Sequence, residues 1–210
     1  MHRLARTLAL LAAALLGAAC NRATSEQPLT PEAEARRDAR LEGLWRVVPP
    51  EGPEPSDPAI FVYLTPMKGA TLRALVFGDG SDDFARELHR CEVFPSAVAG
   101  RTYLNARCPD LVEEEPGRKP GPYDLVRYQV RKNGTVKLWV MELGPVVEAI
   151  QSGALPGRLA SGRHTEDAVV TAQPEKLAAW LAKADGSKLF RELAVLHPVP
   201  IPRVPPRTGK

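Results

Sequence analysis

Apolar and β-branched side chains recur in short clusters along the middle of the chain, and turn-forming residues separate these clusters. Proline-rich runs at 49–58 and 110–122 interrupt the pattern and are predicted to be loops. Short strands with turn signals between them favour an antiparallel sheet. Outside two hairpins, the clusters predict strands at Leu44–Val48, Ile60–Thr65, Leu72–Phe77 and Val169–Thr171.

The best-defined hairpin runs from Leu125 to Leu143 and turns at Lys132-Asn133-Gly134. A two-residue Asn-Gly turn would mix apolar and polar side chains on each face. A three-residue turn, with Gly134 in the left-handed conformation, separates them, and we therefore predict that turn. It pairs Val130 with Val136, Tyr128 with Leu138 and Val126 with Val140 on the apolar face, and Gln129 with Lys137 and Arg127 with Trp139 on the other.

A second hairpin, folded about Ala99-Gly100, contains two of the three cysteines. This fold places Cys91 opposite Cys108, and it also pairs Glu92 with Arg107 on the other face. In an exported protein these thiols are expected to form a disulfide, worth about 3 kcal/mol in the chain-entropy model. A metal or redox pair is the functional alternative. Residues 84–89, just before the hairpin, fit a strand or a helix.

Two short amphipathic helices are predicted in the second half of the chain. One begins at Pro145 and ends at Gly153, and the other covers Pro174–Ala184. Leu189–Leu196 then returns as a closing strand. The predicted fold class is mainly β, a small antiparallel β-barrel with two or three accessory helices.

The N-terminus has the order of an export signal: basic residues, then an apolar run at Leu8–Leu16, then small residues up to Cys20. The run is too short to span a bilayer. Residues 16–20 resemble the lipobox of bacterial lipoproteins, which implies that Cys20 carries an acyl anchor. By the same resemblance, Asn21 favours the outer membrane. The alternative is ordinary cleavage before Cys20, which would leave a free thiol.

Composition divides the rest of the chain into three parts. Removing a signal peptide at 1–19 takes away two of the 28 basic residues and none of the 25 acidic ones, so the remainder is nearly neutral. A neutral chain without a basic block argues against nucleic acid as a partner. We predict a polar lipidated tether at 20–40, one domain at 41–197 and a proline-rich disordered tail at 198–210.

Three stretches, at 99–108, 124–157 and 169–190, resemble in the same order a group of uncharacterised bacterial envelope lipoproteins. The Gly43-x-Trp45 sequence is similar to the opening of lipocalin-like barrels. The resemblance implies a lipocalin-like barrel without an established activity. It also implies that Trp45 packs at the closed end against a late arginine, for which Arg191 is the candidate.

The residues offer little catalytic chemistry. The histidines at 2, 89, 164 and 197 are scattered without metal-ligand spacing, and no nucleophile can be matched to a base. We therefore expect a non-enzymatic binding protein without cofactor or metal, anchored to the membrane and facing the periplasm. Its partner would be a hydrophobic small molecule or an envelope protein. A ligand cavity in an open barrel would be lined by Trp45, Tyr128, Leu138 and Val140.

A second hypothesis places function in a loop. Glu113, Glu114 and Glu115 lie in the predicted loop 110–122, where they could contact another protein. The protein would then be an inhibitor or an envelope-stress accessory lipoprotein that acts through this loop rather than through a cavity.

Overall fold

A computed structural model of the chain describes residues 23–52, 59–79, 88–108, 122–161 and 166–200. The predictions for the signal peptide, for Cys20, for residues 84–87 and for Glu113–Glu115 lie outside these ranges. So do His2, His164 and residues 201–210 of the predicted tail.

Eight strands form a closed antiparallel barrel. They are β2 (Gly43–Val48), β3 (Ile60–Pro66), β4 (Leu72–Gly78), β5 (His89–Val98), β6 (Arg101–Arg107), β7 (Asp124–Val130), β8 (Val136–Met141) and β11 (Phe190–Pro198). Their order around the barrel is β11-β2-β3-β4-β5-β6-β7-β8. The predicted fold class, a mainly β protein with a small lipocalin-like barrel and accessory helices, is confirmed.

A second group of elements, which we call the appendage, is inserted mostly between β8 and β11. It contains a mixed three-stranded sheet in the order β1-β10-β9, with β1 parallel to β10. Its elements are β1 (Ala23–Ser25), β9 (Gly157–Ser161), β10 (Glu166–Val170), α1 (Leu143–Gln151), α2 (Pro174–Lys183) and the short α3 (Gly186–Leu189).

The hairpin β7–β8 has the predicted register. Val126, Tyr128 and Val130 pair with Val140, Leu138 and Val136. Gly134 has a φ of 80°, the left-handed conformation that the three-residue turn requires. On the outer face, Arg127 pairs with Trp139 as predicted, and its guanidinium lies 4.3 Å from the centre of the Trp139 ring.

The hairpin β5–β6 also has the predicted register, with Glu92 opposite Arg107 and Val93 opposite Ala106. Its turn is formed by Ala99 and Gly100, both with positive φ. Cys91 and Cys108 form a disulfide with their Cα atoms 4.1 Å apart. On the outer face, Arg107 and Glu92 form an ion pair at 2.7 Å.

Apolar side chains alternate with more polar ones along the strands, and the apolar ones occupy the interior of the barrel. Because successive side chains of a strand point to opposite faces, every second residue of each strand faces inward. The inward side chains form one continuous apolar cluster that includes residues of all eight strands. We call this cluster the inner core.

A second apolar cluster, the outer core, lies between the appendage and the outside of the barrel. Tyr103, Leu125, Met141 and Phe190 supply it from the barrel wall. Facing them are buried residues of the appendage: Val146, Ala149, Leu155, Ala168, Val170, Leu177 and Leu181. One wall of the barrel is therefore apolar on both faces.

The segment before β2 differs from its prediction as a tether. β1 pairs with β10, Leu29 is 1% exposed, and a 3-10 turn at Glu32–Glu34 carries a carboxylate that bonds to Thr71. Residues 23–41 thus belong to the folded body. The sequence does not predict this, because the segment lacks an apolar stripe and is held mainly by polar contacts.

The predicted contact between Trp45 and Arg191 is wrong. Trp45 pairs across β2 and β11 with Pro198, whereas Arg191 lies near the other end of β11. Arg191 forms an ion pair with Glu142 at 2.8 Å instead. The Trp45 indole donates its hydrogen bond to the Leu41 carbonyl at 2.8 Å. The chain just before β2 therefore supplies the polar partner of Trp45.

Candidate functional site

The four residues predicted to line a ligand cavity all lie in the inner core. Trp45, Tyr128 and Leu138 are 4%, 3% and 3% exposed, and the partly buried Val140 packs against the same cluster. The structure thus brings the four together. Their neighbours are other inward side chains, as in small barrels filled by their own residues. The ligand cavity itself stays a prediction.

Tyr128 also reaches an open cleft. A cavity of about 460 Å³ lies at one end of the barrel, between the segment before β2 and the hairpin β5–β6. Its lining is mixed in charge, with arginine prominent: Thr30, Glu34, Ala35, Arg36, Arg37, Asp38, Arg40, Pro95, Ser96, Ala97, Thr102 and Tyr128. We call it the first cleft.

A buried asparagine holds one wall of the first cleft in place. Asn105 of β6 accepts a hydrogen bond from the Leu29 backbone amide at 2.6 Å. Its own amide donates to the Phe94 carbonyl at 3.1 Å and to the Ser96 hydroxyl at 2.7 Å. The Ser96 and Thr30 hydroxyls share a hydrogen bond at 2.6 Å. The N-terminal segment is therefore fixed against β5 and β6.

Asp38 connects this segment to the barrel interior. Its carboxylate accepts hydrogen bonds from the Arg40 guanidinium, both at 2.8 Å, and from the Tyr128 hydroxyl at 3.1 Å. The hydrogen bonds from Arg40 are the main reason that the pKa of Asp38 is lowered. Burial raises the pKa of Tyr128, and the neighbouring Asp38 carboxylate adds to that effect. At neutral pH, Tyr128 therefore donates and Asp38 accepts.

Arg37 and Arg40 at this end have different acidic partners. The Arg37 guanidinium donates to Glu42 at 2.7 Å, and this hydrogen bond is the main reason that its pKa is raised. Arg40 is bound to Asp38, which raises its pKa in the same way. Exposed ion pairs of this kind contribute little stability. The positive charge of Arg37 and Arg40 in the first cleft is therefore balanced by Glu42 and Asp38.

A second cleft, of about 250 Å³, adjoins the first and shares Thr102 and Tyr128 with it. Its lining comes from one turn, from outward-facing residues of β6, β7 and β8 and from two inward-facing residues that it shares with the first cleft: Gly100, Arg101, Arg127, Gln129 and Trp139, with Thr102 and Tyr128. The sequence predicts the pairing of Arg127 with Trp139 but not the cleft, because Arg101 approaches Arg127 only through the pairing of β6 with β7.

Aromatic rings hold Arg127 in the second cleft. Its guanidinium lies 4.3 Å from the centre of the Trp139 ring and 5.4 Å from that of Phe190. Burial lowers the pKa of Arg127, with a further lowering from the positive charge of Arg101. The pKa of an arginine is so high that it stays protonated at neutral pH. Two positive charges are therefore held close together.

Other chemistry is sparse in the described part of the chain. Within those residues, no group of three histidine, cysteine or carboxylate side chains could hold a metal ion. His89 begins β5 and is buried, whereas His197 is exposed near the end of β11. Cys91 and Cys108 are bonded to each other, so neither is a free thiol.

Comparison with known proteins found no matching family model, no matching curated protein and no matching solved structure. Within the described residues, every helix is too short or too polar to cross a lipid bilayer.

Proposed function

We propose that this protein is a non-enzymatic, lipid-anchored binding protein of the bacterial cell envelope. It is an outer-membrane lipoprotein that faces the periplasm, and it recognises an envelope partner with the outside of its barrel. The observation that carries this proposal is the contrast between a barrel interior occupied by side chains and two open, arginine-lined clefts on its surface.

The N-terminal sequence supports the anchor. An apolar run at Leu8–Leu16 precedes Gly17, two alanines and Cys20, in the order expected for export and acylation. The disulfide between Cys91 and Cys108 agrees with an oxidising compartment, since disulfides are rare in cytosolic proteins. A thioether-linked diacylglycerol together with an amide-linked chain would make the anchor stable.

The packed interior supports recognition at the surface. Ligand pockets in barrels need interior volume that side chains leave unfilled. Here Trp45, Tyr128 and Leu138 are buried among residues of all eight strands, which supports an interior filled by its own side chains. The two clefts are open at the surface.

Mass spectrometry of the membrane-extracted protein tests the anchor. The full chain, expressed in a bacterium that processes lipoproteins, should lose residues 1–19 and gain the mass of a diacylglyceryl group and one acyl chain. The Cys20→Ala variant should stay unacylated and leave the membrane fraction. An unmodified Cys20 thiol in the wild-type protein would contradict the anchor.

Titration with a fluorescent fatty acid tests the location of binding. We expect no saturable binding by the Cys20→Ala protein, which lacks acyl chains that could compete with the probe. We also expect no retained lipid in its native mass spectra. Saturable binding that Leu138→Trp abolishes would show a ligand in the interior. That result would favour an apolar-ligand carrier over recognition at the surface.

A loop-mediated inhibitor or envelope-stress accessory is the alternative. Strand direction favours it in one respect, because the connections 49–59, 79–88 and 108–123 all leave the same end of the barrel. Neutralising Glu113–Glu115 with glutamine should then abolish contact with the partner. Under the main proposal, contact should instead depend on the cleft residues, which lie at the opposite end.

A further inference from the structure

The second cleft contains two guanidinium groups that lie close together. A Cβ atom placed on Gly186 would lie 3.1 Å from an Nη1 atom of Arg101 and 3.1 Å from an Nη1 atom of Arg127. The two nitrogen atoms are therefore no more than twice that distance apart. Gly186 leaves room for this approach because it has no side chain.

These two arginines lack the acidic partners that neighbouring cations have. On the adjacent wall, Lys137 pairs with Glu192 and Arg191 pairs with Glu142. Within the described residues, neither Arg101 nor Arg127 forms an ion pair with a carboxylate. Asp185 is near enough for Arg101 to influence its pKa, but its Oδ1 atom accepts from the backbone and hydroxyl of Ser187.

The Arg127 guanidinium and the backbone of Arg101 are also held in position before any ligand binds. Arg127 lies against the rings of Trp139 and Phe190, and Arg101 is next to the tight turn at Ala99-Gly100. Like charges held this close repel each other, and an anion between them would remove the repulsion. Preorganised groups bind with less loss of conformational entropy.

We infer that Arg101 and Arg127 form a binding site for a phosphate group. Guanidinium forks match the oxygens of phosphate, with charge-assisted hydrogen bonds of about 2.8 Å, so one phosphate can bond to both nitrogen atoms. A phosphate monoester carries a charge of about −1.5 to −2 at neutral pH, which balances two guanidinium groups. The source is either a lipid headgroup or a soluble phosphorylated molecule. The inference does not depend on the acyl anchor.

Calorimetric titration with inorganic phosphate tests the site. The full-length Cys20→Ala protein is used, with sodium chloride added to hold ionic strength constant. We expect saturable binding by this protein. Binding should be at least about 10-fold weaker when Arg101→Gln is added, since one of two charged partners is lost. Arg46→Gln removes an exposed arginine on the outward face of β2 and should leave binding unchanged.

Two further variants keep the test valid if Arg101→Gln is poorly folded. Gly186→Ala places a methyl group against both guanidinium groups and should weaken phosphate binding while the circular dichroism spectrum stays unchanged. Arg127→Lys keeps the charge but loses the planar fork, and it should also weaken binding. Equal binding by the wild-type protein and all three variants would overturn the site.

The source of the phosphate is distinguished with vesicles. The Cys20→Ala protein is mixed with vesicles and floated. Flotation with phosphatidylcholine vesicles that contain phosphatidate, but not with phosphatidylcholine alone, would identify a lipid headgroup, provided that Arg101→Gln abolishes the flotation. Binding of inorganic phosphate without flotation would identify a soluble ligand. Binding of neither probe would overturn the inference. Acetate that binds as tightly as phosphate would overturn the specificity for phosphate.

Discussion

The two walls of the barrel differ in what covers them. On β4, buried and more exposed residues alternate, so that Leu72 and Ala74 face the inner core while Arg73 is exposed. On β6, the four consecutive residues from Tyr103 to Ala106 are buried, because one face meets the inner core and the other meets the appendage and the N-terminal segment. Alternation therefore marks a wall exposed to solvent, and its loss marks a wall with a second layer.

Paired truncations give the largest expected effect and test whether the two cores unfold separately. Leu138→Ala removes an inner-core side chain and Leu177→Ala an outer-core side chain. Each should lower the free energy of unfolding by about 2–5 kcal/mol. Urea denaturation measures this loss, and hydrogen exchange measures where it occurs.

The exchange profiles should differ between these two variants. Leu177→Ala should reduce amide protection in α2 and β10 more than in β3 and β4, because the latter strands have no outer-core residues. Leu138→Ala should reduce protection throughout the barrel. Identical profiles would show that the two cores form one cooperative unit.

Removal of the disulfide is expected to have the next largest effect. The chain has three cysteines, and the bridge joins two of them in the inner core. Cys91→Ser combined with Cys108→Ser should cost about 3 kcal/mol. Chemical reduction of the wild-type protein is the matched control and should give the same loss of stability in urea. A loss confined to the appendage would contradict the placement of the bridge.

Tyr128→Phe tests the hydrogen bond between the inner core and the N-terminal segment. Losing the bond to Asp38 should cost about 1 kcal/mol near pH 7. The raised pKa of Tyr128 means that its contribution is complete below about pH 10 and declines as the pH rises further. The stability difference between wild type and variant should therefore shrink in alkaline urea titrations. A constant difference up to pH 11 would contradict this.

Asp38→Asn should have the smallest effect. The new asparagine would keep an oxygen that can accept from Tyr128, so the substitution removes only the charge that pairs with the exposed Arg40, and about 0.5 kcal/mol is expected at pH 7. Because the pKa of Asp38 is lowered in the folded state, its contribution is present above about pH 4 and is lost as the pH falls. Thermal denaturation between pH 2 and pH 6 should show the two proteins converging in acid.

The inner core could be predicted from sequence, and the outer core could not. Alternation of apolar side chains defined the pairing of Tyr128 with Leu138 and of Cys91 with Cys108, because register shifts by one residue would mix the faces. The outer face of the same strands carries Tyr103 and Met141, which local spacing does not relate to Val146 or Leu177.

The clefts were missed for a related reason. The first cleft depends on Asn105, whose side chain accepts a hydrogen bond from the backbone of Leu29, 76 positions earlier in the sequence. A lone polar residue inside an apolar strand was the available signal, but it does not identify its partner. The second cleft depends on Arg101 of β6 lying near Arg127 of β7, which no local pattern relates.

The pairing of β1 with β10 limits how far the domain could stand from a bilayer. Ala23, the first residue of β1, is three positions after Cys20, and three extended residues reach about 11 Å at most. An acylated Cys20 would consequently hold the edge of the appendage sheet at the lipid headgroups, with little freedom to rotate. The side of the molecule available to soluble partners would then be determined by the fold rather than by a flexible linker.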